Sequence, residues 1–258
     1  MLYFNQEHYA SLVSLEIDLH GNDSLQRLHK RLLDLHRALY PRLKQNGFAL
    51  QPAPETPGGV RHDSACIPTA ANTMTLTYMR SQAEAEMVES MMGRDALSAV
   101  ESIESHRHPV IELRLSPDHF TVELVVSPDA WYDQQNLIGK LSVGQHRNRF
   151  HQILSALTAD YLVGFWSGTH LDDTHLSTLR LPPSPILYEY LNTFADRRDW
   201  LRIGRWYAPD DPILEADTIV DEIFARVSEL NELYRFISWT STNNFHSLYQ
   251  KAFKRSKR

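Results

Sequence analysis

Leucine recurs at positions 25, 28, 32, 35 and 39, spacings of three and four that lay one apolar stripe along a helix. Asn22 or Asp23 in the preceding GND can cap its start, and Pro41 is expected to end it just past Leu39. The stripe covers barely two heptads, short of the ~3 that a sustained coiled coil needs, so it predicts packing against the protein's own core. TMTLTYM, Thr73 to Met79, reads as a strand. Ser81 then caps a helix predicted to run to about Glu104, with Met87, Met91 and Met92 on or near its apolar side as core filler.

The clearest β pattern is VIELRLSPDHFTVELVV, Val110 to Val126, where two alternating runs flank Pro117 and Asp118, a good central pair for a tight turn. Closing that turn with Ser116 and His119 sets Leu115 opposite Phe120, Arg114 opposite Thr121, Leu113 opposite Val122 and Glu112 opposite Glu123. Two directly opposed carboxylates repel, and solvent with Arg114 on the diagonal is the simple compensation. A bound metal or cationic ligand is the alternative.

SPDAWYDQQNL, Ser127 to Leu137, is read as a chain turn, and a helix is expected from about Val143 to Tyr161 on Phe150, Ile153, Leu154 and Leu157. Arg147 falls near that stripe, within reach of a carboxylate on the sheet. YLVGFW suits a strand or a buried helix end. DWLRIGRWYA, Asp199 to Ala208, suits an aromatic strand, and a long closing helix follows Asp211 and Pro212 with Ile219, Ile223, Val227, Leu230, Tyr234 and Ile237 inward. Strands joined partly by a hairpin and partly by helices predict an α+β fold, with a mixed or antiparallel sheet containing a central hairpin packed against several helices. Residues 1–250 are read as one globular domain and 251–258 as a basic C-terminal tail.

Apolar residues make up 42% of the 258-residue chain and charged residues 22%, ordinary globular values. No apolar run approaches the ~20 residues of a membrane span, so no membrane partner is expected. The N-terminus shows no secretory signal, and the single Cys66 suits a reducing, cytoplasmic setting as a structural thiol. Net charge is −6, yet cations gather in two segments. Arg27, Lys30, Arg31, Arg37, Arg42 and Lys44 face only Asp34 between Leu25 and Gln45, and the tail carries Lys251, Lys254, Arg255, Lys257 and Arg258 without an acid.

No GxxxxGK[ST], GxGxxG, HExxH, CxxC pair or GxSxG occurs. No cofactor is assigned. Thirteen histidines leave room for a site assembled from distant residues, and the most suggestive stretch is GTHLDDTH, Gly168 to His175. On a helix His170 pairs with Asp173 and Asp172 with His175, but at about 100° per residue the two pairs diverge. On a strand His170 and Asp172 face one side while Asp173 and His175 face the other. Only an irregular loop meeting a further carboxylate could join these four on a metal ion, and the competing role is a helix cap supplied by Asp172 or Asp173. His29 with His36, and His106 with His108, read as structural.

Two functional classes follow. The favoured one is a noncatalytic binding or assembly protein with a protein or nucleic-acid partner, met through Arg27, Lys30, Arg31, Arg37, Lys254, Arg255, Lys257 and Arg258, with Trp131, Tyr132, Trp206 and Tyr207 as surface-capable aromatics. The other is a metal-assisted hydrolase or nuclease drawing on Glu112, Glu123, His170, Asp172, Asp173 and His175.

Overall fold

A computed structural model describes residues 1–13, 23–54, 60–64, 66–67, 72–92, 103–168, 175–194 and 197–245. Among the described residues the helices are α1 (Gln6–Val13), α2 (Asp23–Gln45), α3 (Gln82–Met91), α4 (Trp131–Leu141), α5 (Gly144–Ser155), α6 (Ser184–Leu191) and α7 (Ile219–Ile237). The strands are β1 (Gln51–Pro52), β2 (Val60–Arg61), β3 (Met74–Met79), β4 (Val110–Leu115), β5 (Phe120–Val126), β6 (Leu162–Phe165), β7 (Leu176–Ser177) and β8 (Leu201–Tyr207). They form one eight-stranded sheet in the order β1-β3-β4-β5-β8-β6-β7, with β2 also on β3 and every pairing antiparallel. The chain is an α+β protein, and no described helix is long and apolar enough to cross a membrane.

The hairpin adopts the register its alternation predicts, with Leu115 opposite Phe120 and Glu112 opposite Glu123, and Ser116 N donates to His119 O at 2.9 Å across the turn. Alternation then sorts the side chains. One face presents Leu76, Leu113, Val122, Ile203 and Val163 to α2 and α7, whose own apolar stripes are fully buried against it. The opposite face is apolar only along one end, where Met79, Val110 and Val125 meet Ala53, Ile67 and Ile103.

Several elements depart from the pattern. Helix α2 runs through Pro41 to Gln45: proline forfeits its own bond to the Arg37 carbonyl, while Leu43 extends the buried stripe, and the turn ends at Gly47 with φ +76°. Helix α3 is capped at Ser81 as expected, with Glu84 completing a capping box, but it buries Ala85, Val88 and Glu89 while Met87 and Met91 stand exposed. Residues 103 and 104 lie outside any helix, and 93–102 fall outside the described residues. The segment read as a turn contains α4. Its buried residues include Asp133, Gln134, Asn136 and Lys140, so the hydrophobic period that betrays a helix is missing. The helix expected to reach Tyr161 ends at Ser155, and Thr158 turns back to Glu229, whose Oε1 accepts from its backbone N at 2.9 Å.

Candidate functional site

Glu112 and Glu123 do meet, but in the interior. Both are 0 % exposed, as are Arg114 and Arg202, so solvent does not relieve their repulsion. Arg202 reaches Glu123 through three hydrogen bonds of 2.7, 2.7 and 2.9 Å, and Arg114 pairs with Glu123 and, at 3.1 Å, with Glu112. Ser64 Oγ donates to Glu112 Oε2 at 2.9 Å. Burial alone would raise both carboxyls; at Glu123 the two guanidinium groups together outweigh it and hold the group low, while at Glu112 burial prevails over Arg114 and holds it high. Burial also pulls Arg202 down to about 10, against the attraction of Glu123. Two acids shifted in opposite directions resemble an acid–base pair. Their lone pairs, however, are engaged by two guanidinium groups and a serine, and the cluster ties β4, β5 and β8 together.

The GTHLDDTH stretch connects β6 to β7. Gly168 O accepts from Arg202, so the connection leaves beside the buried carboxylates, but His170, Asp172 and Asp173 lie outside the described residues. His175 is half-buried just before β7. Among the described residues no group of three or more His, Cys, Asp and Glu could hold a metal ion. Of the other histidines, His29 stacks on His62 with centroids 5.3 Å apart, and His36 Nδ1 meets Tyr78 Oη at 3.0 Å.

The cations of α2 are displayed opposite its leucine stripe, but most are matched within the chain. Arg37 pairs with Asp34 at 2.9 Å, Arg42 with Asp221 at 2.6 Å, and Arg27 approaches Glu7 at 3.9 Å. Arg31 lies over the Tyr3 ring and Lys44 over the Tyr40 ring. Lys30 is exposed with no ion-pair partner among the described residues. Lys254, Arg255, Lys257 and Arg258 lie outside the described residues. Of the aromatics expected at the surface, Trp131, Tyr132 and Trp206 are half-buried and Tyr207 is buried in the core, its hydroxyl donating to Glu222. Arg147 lies over the Tyr188 ring, 4.5 Å from its centroid, rather than reaching the sheet.

A concave site lies elsewhere, in a cleft of about 680 Å³ where the C-terminal end of α7 meets the turn after α2 and the exposed side of α5. Its construction starts on α4. Asp133 Oδ1 accepts from Arg80 Nη2 at 2.5 Å and from the Trp239 backbone N at 2.6 Å, while Arg80 Nη1 donates to Trp239 O at 3.2 Å. Lys140 Nζ donates to Phe236 O at 2.5 Å and Asn243 Oδ1 at 2.8 Å, and Asn136 Nδ2 donates to Ile237 O at 3.0 Å. The buried polar side of α4 therefore supplies the donors that the last carbonyls of α7 lack. It also fixes residues 238–245, of which 238–243 supply one wall of the cleft. Gly139 permits the closing contact, since a Cβ there would stand 2.5 Å from the Phe245 ring.

The cleft surface combines half-buried Phe48, Phe236 and Trp239 with Arg149, Arg235, Glu84 and Glu232. Arg80, Asn231, Tyr234 and Ser238 also line it, each more than nine-tenths buried. The Tyr234 hydroxyl lies within hydrogen-bonding reach of both Arg80 and Ser238. Burial pushes that phenol up to about 12, and burial pulls Lys140 down to about 8 against the attraction of Asp133. The residues of the cleft come from positions 46–50, 80–84, 149–153 and 231–243, so no single sequence window announces it. The trace in the sequence is chemical: in the polar run DQQN on α4, Asp133, Gln134 and Asn136 are buried, and Asn136 Nδ2 donates to Asn243 O at 3.2 Å in the STNN run after α7. No protein-family model matches the chain, and comparison with curated proteins finds no match.

Proposed function

We propose that the chain is a noncatalytic binding protein whose cleft takes a segment of a protein partner. The observation that carries this reading is the make-up of the cleft: three partly exposed aromatic rings, two exposed arginines and a buried polar floor of Arg80, Asn231, Tyr234 and Ser238 in about 680 Å³. Aromatic and arginine side chains in a partly desolvated pocket are the usual anchors of protein recognition. Its charges are nearly balanced, Arg149 and Arg235 against Glu84 and Glu232, with Arg80 matched by Asp133. A nucleic-acid groove needs surplus positive charge. With a net charge of −6 and three of the six α2 cations in ion pairs within the chain, the protein partner is favoured over the nucleic-acid one.

Selection of a random peptide library on the purified full chain tests this. Enriched peptides should share a consensus, and Trp239→Ala and Asn231→Ala should each weaken their binding at least about tenfold while Lys30→Ala leaves it unchanged, a tenfold loss being about 1.4 kcal/mol. No enrichment, or peptides indifferent to the cleft variants, would overturn the proposal. Salt-dependent binding of a single-stranded 20-mer oligonucleotide, lost in a Lys30→Glu, Arg31→Glu double variant, would move the function to the basic helix.

A further inference from the structure

We infer that the cleft takes its partner segment as an extended, proline-rich stretch in the polyproline II conformation; this rests on the protein-binding reading above. Peptide segments dock on folded proteins by adding a strand, by laying down a helix, through a charged anchor, or as polyproline II against aromatic rings. No residue lining the cleft belongs to a strand, so it offers no sheet edge. A helix needs a continuous apolar groove, and here Glu84, Arg149, Glu232 and Arg235 interrupt the rings. A charged anchor needs surplus charge of one sign, but Arg235 lies 3.8 Å from Glu232 and the exposed arginines are balanced by acids. Rim charges that cancel suit an uncharged stretch. The aromatic mode matches what is present. Phe48, Phe236 and Trp239 line the cleft, and each is braced by a ring outside the lining: Phe224 at 6.2 Å, Phe150 at 5.3 Å and Tyr132 at 5.3 Å between centroids. Rings held in this way lose little freedom when prolines pack on them. The Trp239 indole N–H and the Asn231 amide make no hydrogen bond among the described residues, and both keep contact with solvent at the cleft. A polyproline II backbone has no internal hydrogen bonds, so its carbonyls are free to accept from these two donors.

Two probes test this on the full chain: N-acetyl-hexaproline amide, and N-acetyl-hexaglycine amide, equally long but without a preset conformation. Backbone amide resonances of residues 238–243 report occupancy. Hexaproline should bind about tenfold more tightly or better, because its backbone is ordered before it binds. Trp239→Phe keeps an aromatic ring against Tyr132 and removes the N–H, and Asn231→Leu keeps the volume and removes the amide. Each should weaken hexaproline about threefold or more, the loss of one hydrogen bond. Should Asn231→Leu fail to fold, Trp239→Phe carries the test alone. Hexaglycine binding as tightly as hexaproline, or a Trp239→Phe variant with unchanged affinity, overturns the inference. If library-selected peptides shift the resonances of 238–243 while hexaproline does not, this inference alone falls; if neither shifts them, the binding function falls with it.

Discussion

Substituting Glu123 by glutamine keeps the side chain's shape and removes its charge, leaving Arg114 and Arg202 buried against a neutral amide. The carboxylate accepts three hydrogen bonds from Arg202 and pairs with Arg114, with no exposed surface on any of the three residues. Removing one member of a buried pair costs about 3–5 kcal/mol, because the partner's desolvation is no longer offset. Arg202 loses its carboxylate altogether and Arg114 keeps only Glu112, so that range applies. At a urea dependence of about 2–3 kcal/mol per molar, the unfolding midpoint should fall by about 1–2 M. Glu112→Gln is the internal control. Burial raises that carboxyl, so losing its charge offsets less than at Glu123, and a glutamine oxygen can still accept from Ser64. Its cost should be about 1 kcal/mol, the size of an ordinary hydrogen-bond change. Urea titrations followed by tryptophan fluorescence and far-ultraviolet circular dichroism give both numbers. The pH dependence carries the same sign argument. Because the folded Glu123 titrates below its unfolded value, its contribution is complete above the ordinary glutamate pKa of about 4.3 and is lost as pH falls through the folded value, so the gap between wild type and Glu123→Gln should narrow in acid. Equal losses in the two variants, or a larger loss in Glu112→Gln, would refute the assignment of Glu123 as the charged centre of the network.

Other consequences are more local. Ser81→Ala removes the hydroxyl that accepts from Glu84 N and half of the capping box, and should cost about 1 kcal/mol in the same urea titration. Gly139→Ala forces the Phe245 ring away from α4, and overpacking of this kind should cost about 1–3 kcal/mol, read as a fall in Tm with faster hydrogen exchange confined to 238–245. His8, His29, His36 and His62 are all held below the ordinary imidazole value, chiefly by burial. Their unfolded forms take up protons first, so stability should be full above about pH 6.5 and decline as pH falls below it; a Tm that is flat between pH 7 and 5 would contradict their burial.

The elements that could be read from sequence are those whose burial follows apolar periodicity. The β4–β5 register, the leucine stripe of α2 and the inner face of α7 all have one face apolar, so a shift of one residue would expose it. Helix α4 was hidden because its inward positions are Asp133, Gln134, Asn136 and Lys140, which pack by hydrogen bonding to carbonyls that belong to a helix nearly a hundred residues later. The same feature hid the cleft. The Glu112–Glu123 pairing was legible and its setting was not: alternation identifies a shared face but does not say that Arg202, from a strand about eighty residues on, will seal that face from water. Pro41 misled for a related reason, since a local penalty was outweighed by one more buried leucine turn.

Hydrogen exchange of the full chain with and without a saturating selected peptide locates the partner directly. Binding in the cleft predicts slowed exchange at residues 46–50, 231–236 and 238–243, with the exposed turns of α2 between Arg27 and Arg37 unchanged. Protection along Arg27 to Arg37 with an unchanged cleft would contradict it.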